Sequence, residues 1–198
     1  MPNWCYNETV FYGDKETVQK LYKGLEETID YRTNDHIDNF YKLLGVKEEQ
    51  LNDEYRSRAH IVNFDINKEG DALILSYESA WGPIIETIDN ILKEYQPNLK
   101  EVTYAEECGE GIYINTDEEG LYFTDKYYLD MSTKGGDDFN DIKHHATLES
   151  AINEFKRFYN VDVEINTKEE LEEQIEKIEE LYDYDVYITF DEFTPYYG

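Results

Sequence analysis

The chain holds 198 residues, with 18 Lys and Arg against 46 Asp and Glu, for a formal net charge of −28. Yet 15% of it is aromatic, including 19 Tyr, and 40% is hydrophobic, which sets aside the class of acidic disordered tails. A charge of this sign and size opposes direct binding to nucleic acid or anionic membrane, and no run of about 18 apolar residues is present to span a bilayer.

Cys5–Tyr12 alternates and is rich in aromatic and β-branched residues, so a strand is expected there, ending at Gly13. Asp14 is placed to cap a helix whose inner face carries Val18, Leu21, Tyr22, Leu25 and Ile29. Residues 30–57 read as a polar insert holding one short helix around Ile37–Leu44, closed by Gly45. Arg58–Ile66 and Ala72–Tyr77 alternate on either side of Asn67-Lys-Glu-Gly70, a hairpin pattern. Gly82-Pro83 opens a helix with Ile84, Ile85, Ile88, Ile91, Leu92 and Tyr95 inward, and Val102–Glu106 is the next strand. The order β-α-β-β-α-β is that of a split βαβ, so the expected class is α+β. It would be a ferredoxin-like antiparallel sheet with helices on one face, extended by a C-terminal α/β lobe.

In the second half, Ile112–Asn115 and Leu121–Met131 flank Asp117-Glu-Glu-Gly120 and are expected to form a further hairpin. Residues 132–146 read as a polar loop. Thr147 is placed to cap a helix with Leu148, Ala151, Ile152, Phe155, Phe158 and Tyr159 on its apolar side, and Val161–Ile165 suggests a short strand. Thr167-Lys-Glu-Glu170 is a capping box before a helix striped by Leu171, Ile175, Ile178 and Leu181. Val186, Ile188 and Phe190 mark a last strand that Pro195 stops. The expected division is a ferredoxin-like domain at 1–131 and an acidic lobe at 132–198 packed on it.

The charge is uneven. Residues 1–105 hold 20 acidic and 11 basic residues, a net of −9, whereas residues 106–198 hold 26 and 7, a net of −19. An excess this large raises self-repulsion beyond what solubility asks for, which points to a role in binding something basic. The candidate contact residues are Glu106, Glu107, Glu110, Asp117, Glu118, Glu119, Asp137, Asp138, Asp141, Glu169, Glu172, Glu173, Glu176 and Glu180. Tyr127, Tyr128, Tyr182, Tyr184, Tyr187, Tyr196 and Tyr197 sit among acidic neighbours, a mixture suited to Arg and Lys but equally to half-buried strand positions.

Catalytic patterns are few. Phosphate-binding glycine motifs, a Gly-x-Ser-x-Gly elbow and His-Glu-x-x-His are all missing. Cys108 lies among Glu106, Glu107 and Glu110, whose charges disfavour a thiolate. Asp137, Asp138, Asp141, His144 and His145 offer metal-ligand chemistry without the spacing of a calcium loop, and adjacent histidines would point apart in regular structure. Neither an enzyme, a cofactor nor a bound metal is expected. Met1-Pro2-Asn3-Trp4-Cys5 has no basic and apolar leader, and two cysteines form no framework, so a reducing cytoplasm is the expected compartment.

Met1-Pro2-Asn3-Trp4-Cys5-Tyr6-Asn7 resembles the opening of the YubB ferredoxin-like family, small proteins carried by phages and plasmids. Trp81-Gly82-Pro83 loosely matches the family's Trp-Ser-Pro-Pro element, and Glu106–Gly111 is similar to its glutamate- and glycine-bearing stretch. The resemblance spans about residues 1–131 and implies a ferredoxin-like fold and a mobile-element origin, with no catalytic residues. In the first strand, Trp4 would pack across the sheet end while Cys5 and Asn7 start the edge. Charge and resemblance together suggest a nucleic-acid mimic that occupies the basic channel of a host nuclease, such as a CRISPR–Cas effector or a restriction enzyme. The alternative is a ferredoxin-like module binding a small ligand or a phage protein, with the charge serving only solubility.

Overall fold

A computed structural model describes residues 3–32, 35–53, 55–133, 141–183 and 185–196. These divide into two units, one of Met1–Asp117 with Tyr196–Gly198 and one of Glu118–Pro195. Both are mixed α+β with antiparallel sheets.

The first unit begins with β1 (Trp4–Gly13) and α1 (Lys15–Thr28). Asp14 caps α1 through its Oδ2, which accepts from Thr17 N at 2.9 Å. β1 ends where Gly13 adopts φ 139°, and a Cβ there would lie 2.5 Å from the Asn98 carbonyl oxygen. Next come α2 (Asp38–Leu44), stopped by Gly45 in the left-handed region, and α3 (Glu48–Asp53). The sequence pattern does not announce α3, because among its described side chains only Leu51 is buried and one residue makes no stripe. The hairpin of β2 (Ala59–Ile66) and β3 (Ala72–Ala80) follows, then α4 (Ile85–Tyr95), β4 (Leu99–Glu107) and β5 (Ile112–Asn115). The sheet order is β2-β3-β1-β4-β5. β1 is therefore central, not an edge: Asn7 has Tyr77 on one side and Ala105 on the other.

The core of this unit lies between the sheet and the helices. Phe11, Leu73, Leu75 and Leu99 from the sheet meet Val18, Leu21 and Leu25 of α1, Phe40, Tyr41 and Leu44 of α2, and Ile88, Ile91 and Leu92 of α4. At about 1.5–3 kcal/mol for each large apolar side chain removed from water, this cluster is the main force holding the unit together.

The second unit holds β6 (Tyr127–Met131), β7 (Asp141–His145), α5 (Leu148–Tyr159), α6 (Lys168–Leu181) and β8 (Ile188–Glu192), with sheet order β7-β6-β8. Leu129 and Met131 pack with Ile152 and Phe155 of α5, Leu171 and Ile175 of α6, and Ile188. Thr167 caps α6 by accepting from Glu170 N at 3.2 Å, while Glu170 reaches back to Asn166 N at 2.7 Å. Thr167→Ala should cost the second unit about 1 kcal/mol in chemical denaturation, with the first unit unaffected.

Four expectations for this half are corrected. The anticipated hairpin between Ile112–Asn115 and Leu121–Met131 does not form. β5 instead turns back onto β4, while Tyr127–Met131 is the central strand of the second sheet. That pairing also moves the division from 131/132 to 117/118. Within the expected loop at 132–146, Asp141–His145 is a strand, since an edge strand tolerates the charges that made it look like a loop. Val161–Ile165 is not a strand but a connection after Asn160, which has φ 52°. It is held by Val161 N donating to Lys156 O, Lys156 Nζ donating to Val163 O, and buried Ile165.

Candidate functional site

The candidate carboxylates fall into groups that differ in how far the chain already uses them. Glu106 and Glu107 end β4, and Glu110 lies in the turn that leads to β5. All three have partners inside the first unit. Glu106 Oε2 accepts from Tyr104 OH at 3.0 Å, and Glu110 Oε1 accepts from Asn3 Nδ2 at 2.6 Å. Glu107 receives Gly109 N at 3.2 Å and Glu110 N at 2.5 Å, so its carboxylate shapes the turn it was expected to advertise. Their field also reaches Cys5: burial first, then Glu107 and Glu106, pushes that thiol up to about 12, so Cys5 stays protonated and unreactive. Asp117 is only 4% exposed and cannot present its carboxylate to a partner, a correction to its place among the contact residues.

The remaining candidates belong to the second unit, except Asp137 and Asp138, which lie outside the described residues. Glu118 and Glu119 are exposed. Asp141 is paired with Lys143 at 2.9 Å. Glu169, Glu172, Glu173, Glu176 and Glu180 are exposed along α6. At about 100° per residue they share an arc of roughly 100°, opposite the Leu171, Ile175 and Ile178 face that meets the core. From Glu169 to Glu180 the stripe rises about 16 Å at 1.5 Å per residue. Lys168 meets it, lying 3.9 Å from Glu172 and 3.8 Å from Glu192, and Thr167 hydrogen-bonds Glu169 at its start. Glu173, Glu176 and Glu180 have no hydrogen bond or ion pair within the described residues. The inward-leaning Glu179 differs, accepting from Ile188 N at 3.3 Å.

The metal and nucleophile candidates resolve by geometry. As neighbours in a strand, His144 and His145 face opposite ways. His144 rests near the rings of Tyr128 and Phe193, whereas His145 is buried with Nδ1 2.9 Å from Ser150 Oγ. Burial lowers the pKa of His145, keeping it neutral at pH 7. Among the described residues its buried Nε2 has no hydrogen-bond partner, and none of them gives this His–Ser pair the acidic group that would hold the imidazolium during nucleophilic catalysis. Among the described residues, no group of three or more His, Cys, Asp or Glu converges as metal ligands would.

The tyrosines divide in the same way. Tyr128 is 2% exposed, and Tyr127 stacks on Phe190 with centroids 5.9 Å apart, so both serve packing. Tyr187 is 69% exposed, while Tyr184 and Tyr197 lie outside the described residues. In the first unit the Asn3–Asn7 and Trp81–Pro83 segments meet. Trp81, held at φ 73°, donates its N–H to Asn3 O at 2.9 Å, and Trp4 meets the His60 ring edge-on at 4.9 Å. Among the described residues, no helix is long and apolar enough to cross a membrane. No protein-family model, no curated protein and no solved structure matches this chain.

Proposed function

We propose that this chain is a non-enzymatic acidic binding protein of phage or mobile-element origin. It would act in the host cytoplasm by occupying the basic, nucleic-acid-binding groove of a host protein, with a defence nuclease of the CRISPR–Cas or restriction type as the candidate. The observation that carries this reading is the α6 stripe: five exposed carboxylates on one helix face, three of them unengaged by any other described residue. A basic groove built for phosphates is lined with Lys and Arg. Carboxylates already fixed on a helix meet it with little ordering cost, and their field speeds the encounter. Along the helix axis the carboxylates step by about 4.5, 1.5, 4.5 and 6 Å, uneven against the constant 3.4 Å of axis per charge in one DNA strand, so the stripe offers charge in a line, not a copy of a duplex.

The origin rests on the YubB resemblance. The order β2-β3-β1-β4, with α1 between β1 and β2 and α4 between β3 and β4, supports the ferredoxin-like reading on which that resemblance depends. The test is capture of partners from a host lysate on the immobilised chain, elution by a salt ramp, and assay of the eluted nuclease. A nuclease that is released as salt rises, displaced by competing DNA and inhibited by the free chain would support the reading. Absence of any basic partner at low salt would overturn it.

A further inference from the structure

Glu101 sits on the helix-facing side of β4, in line with buried Leu99, Thr103 and Ala105, where a charge is not expected. Its Oε2 accepts from Thr103 Oγ1 at 2.9 Å. Thr103 Oγ1 is in turn 2.8 Å from Thr9 Oγ1, which is 3.2 Å from Tyr77 OH. Each hydroxyl has one proton. Since that of Thr103 goes to the carboxylate, Thr9 must donate to Thr103 and Tyr77 to Thr9, so the interior chain is polarised toward Glu101.

Among the described residues the other carboxylate oxygen of Glu101 has no hydrogen-bond partner. Glu101 lines a cavity of about 430 Å³ between α4 and β4, together with Glu86, Asp89, Asn90 and Lys93 of α4 and Tyr196. An adjoining depression of about 410 Å³ shares Glu101, Asp89 and Lys93 and adds Tyr12. Among the described residues no cation pairs with Glu101: Lys93 is held by Asp89 at 2.5 Å, and Lys100, which borders the second depression, alternates to the other face of the strand and makes no ion pair with Glu101. Burial, with Asp89 adding to it, pushes the carboxyl up to about 7 against the pull of Thr103. A half-buried carboxylate with one hydroxyl donor and no cation is incompletely compensated.

We propose that this cavity binds a compact organic cation, an ammonium or guanidinium group, anchored by Glu101, flanked by Asp89 and Glu86 and walled by the Tyr196 ring. The cation would complete the ion pair that the chain leaves open, and the aromatic wall would add a cation–π contact. The proposal concerns the first unit and is independent of the α6 reading.

The test is titration calorimetry on the full chain with agmatine, a free cation, and N-acetylarginine amide, a chain-borne one, against an uncharged amide of similar size. At pH 8 saturable binding of the cations is expected, weakened at least tenfold by Glu101→Gln. Because the carboxylate is the binding form, affinity should fall about tenfold from pH 8 to pH 6 in the parent chain and stay flat in the variant. Whichever cation binds more tightly identifies the source. The titratable groups around Glu101 (Glu86, Asp89, Lys93, Lys100 and the Tyr12 and Tyr196 hydroxyls) are unchanged in Glu101→Gln, so a surviving pH dependence would assign the effect to them and overturn the proposal. Equal binding to parent and variant, no binding at millimolar cation, or equal binding of the neutral amide would also overturn it. Circular dichroism checks that the variant folds; if it does not, Asp89→Asn, expected to weaken binding severalfold, decides.

Discussion

Reversing the charge at Glu173, Glu176 and Glu180 to Lys should weaken capture of a basic partner by at least 100-fold. Each side chain is exposed on the outer face of α6 and makes no contact that the fold needs. Lys and Glu have similar helix propensity, so the helix is expected to remain. At a groove that engages all three, each reversal removes one attraction and introduces one repulsion. About 1 kcal/mol for each, between the worth of rim and buried pairs, sums to about 3 kcal/mol, or roughly two orders of magnitude in affinity. The reversal also turns the like-charge Glu169–Glu173 and Glu172–Glu176 neighbours into opposite-charge pairs, a few tenths of a kcal/mol apiece, which offsets the loss of Glu173 as an i,i+4 partner for Lys177, so thermal stability should hold. Binding is read by interferometry across a salt series. A variant that binds as tightly as the parent, with the same salt slope, would remove α6 from the interface. The same reversal at Glu106, Glu107 and Glu110 is the contrasting case: it breaks the Tyr104, Gly109 and Asn3 contacts, so any loss of binding there comes mixed with a damaged turn.

Glu101→Gln should stabilise the first unit above pH 7. The folded-state value is raised from 4.5 to about 7, so the folded chain binds a proton between those values that the unfolded chain has released. Stability from this group is therefore present in full below pH 4.5 and lost as pH rises through 7, by about 3 kcal/mol if the whole shift is expressed. Asp14, Glu94 and Glu154 act in the opposite sense. Their values are lowered, chiefly by hydrogen bonds from Thr17, Tyr55 and Arg157 respectively, and their contribution is lost as pH falls. The clean observable is thus the difference between parent and Glu101→Gln in urea denaturation from pH 5 to pH 8, since the other carboxylates cancel. The variant is expected to gain steadily on the parent through that window. A constant difference would mean that Glu101 titrates normally and that its burial carries no cost.

Local signals in this chain were strong wherever a segment's structure depends on its own residues. Asp14, Thr147 and Thr167 announce α1, α5 and α6 because a cap needs only a side-chain oxygen within three residues of the N–H it satisfies. The alternation of β1 to β3 and the stripes of α1 and α4 are equally local, and the outward stripe of α6 follows from its period alone. Pairing between distant segments was not legible in the same way. Tyr127–Met131 reads the same whether it pairs with β5 or with β7 and β8, since a strand's pattern names its faces and not its neighbours. For that reason the boundary between the units was misplaced.

What the sequence by itself determined is the α+β class, most of the elements, the surplus of negative charge in the second half and its regular spacing along α6. These depend on composition and on periods of two and 3.6 residues. Only the tertiary structure decided which carboxylates remain unengaged: Glu106 is taken up by Tyr104, Glu107 by its own turn and Glu110 by Asn3, Asp117 is buried, and Glu173, Glu176 and Glu180 face outward. It likewise set Glu101 apart from Lys100, its oppositely charged neighbour. One faces the helices and the other faces away, and only the packing of α4 over β4 turns that alternation into a half-buried acid beside a cavity.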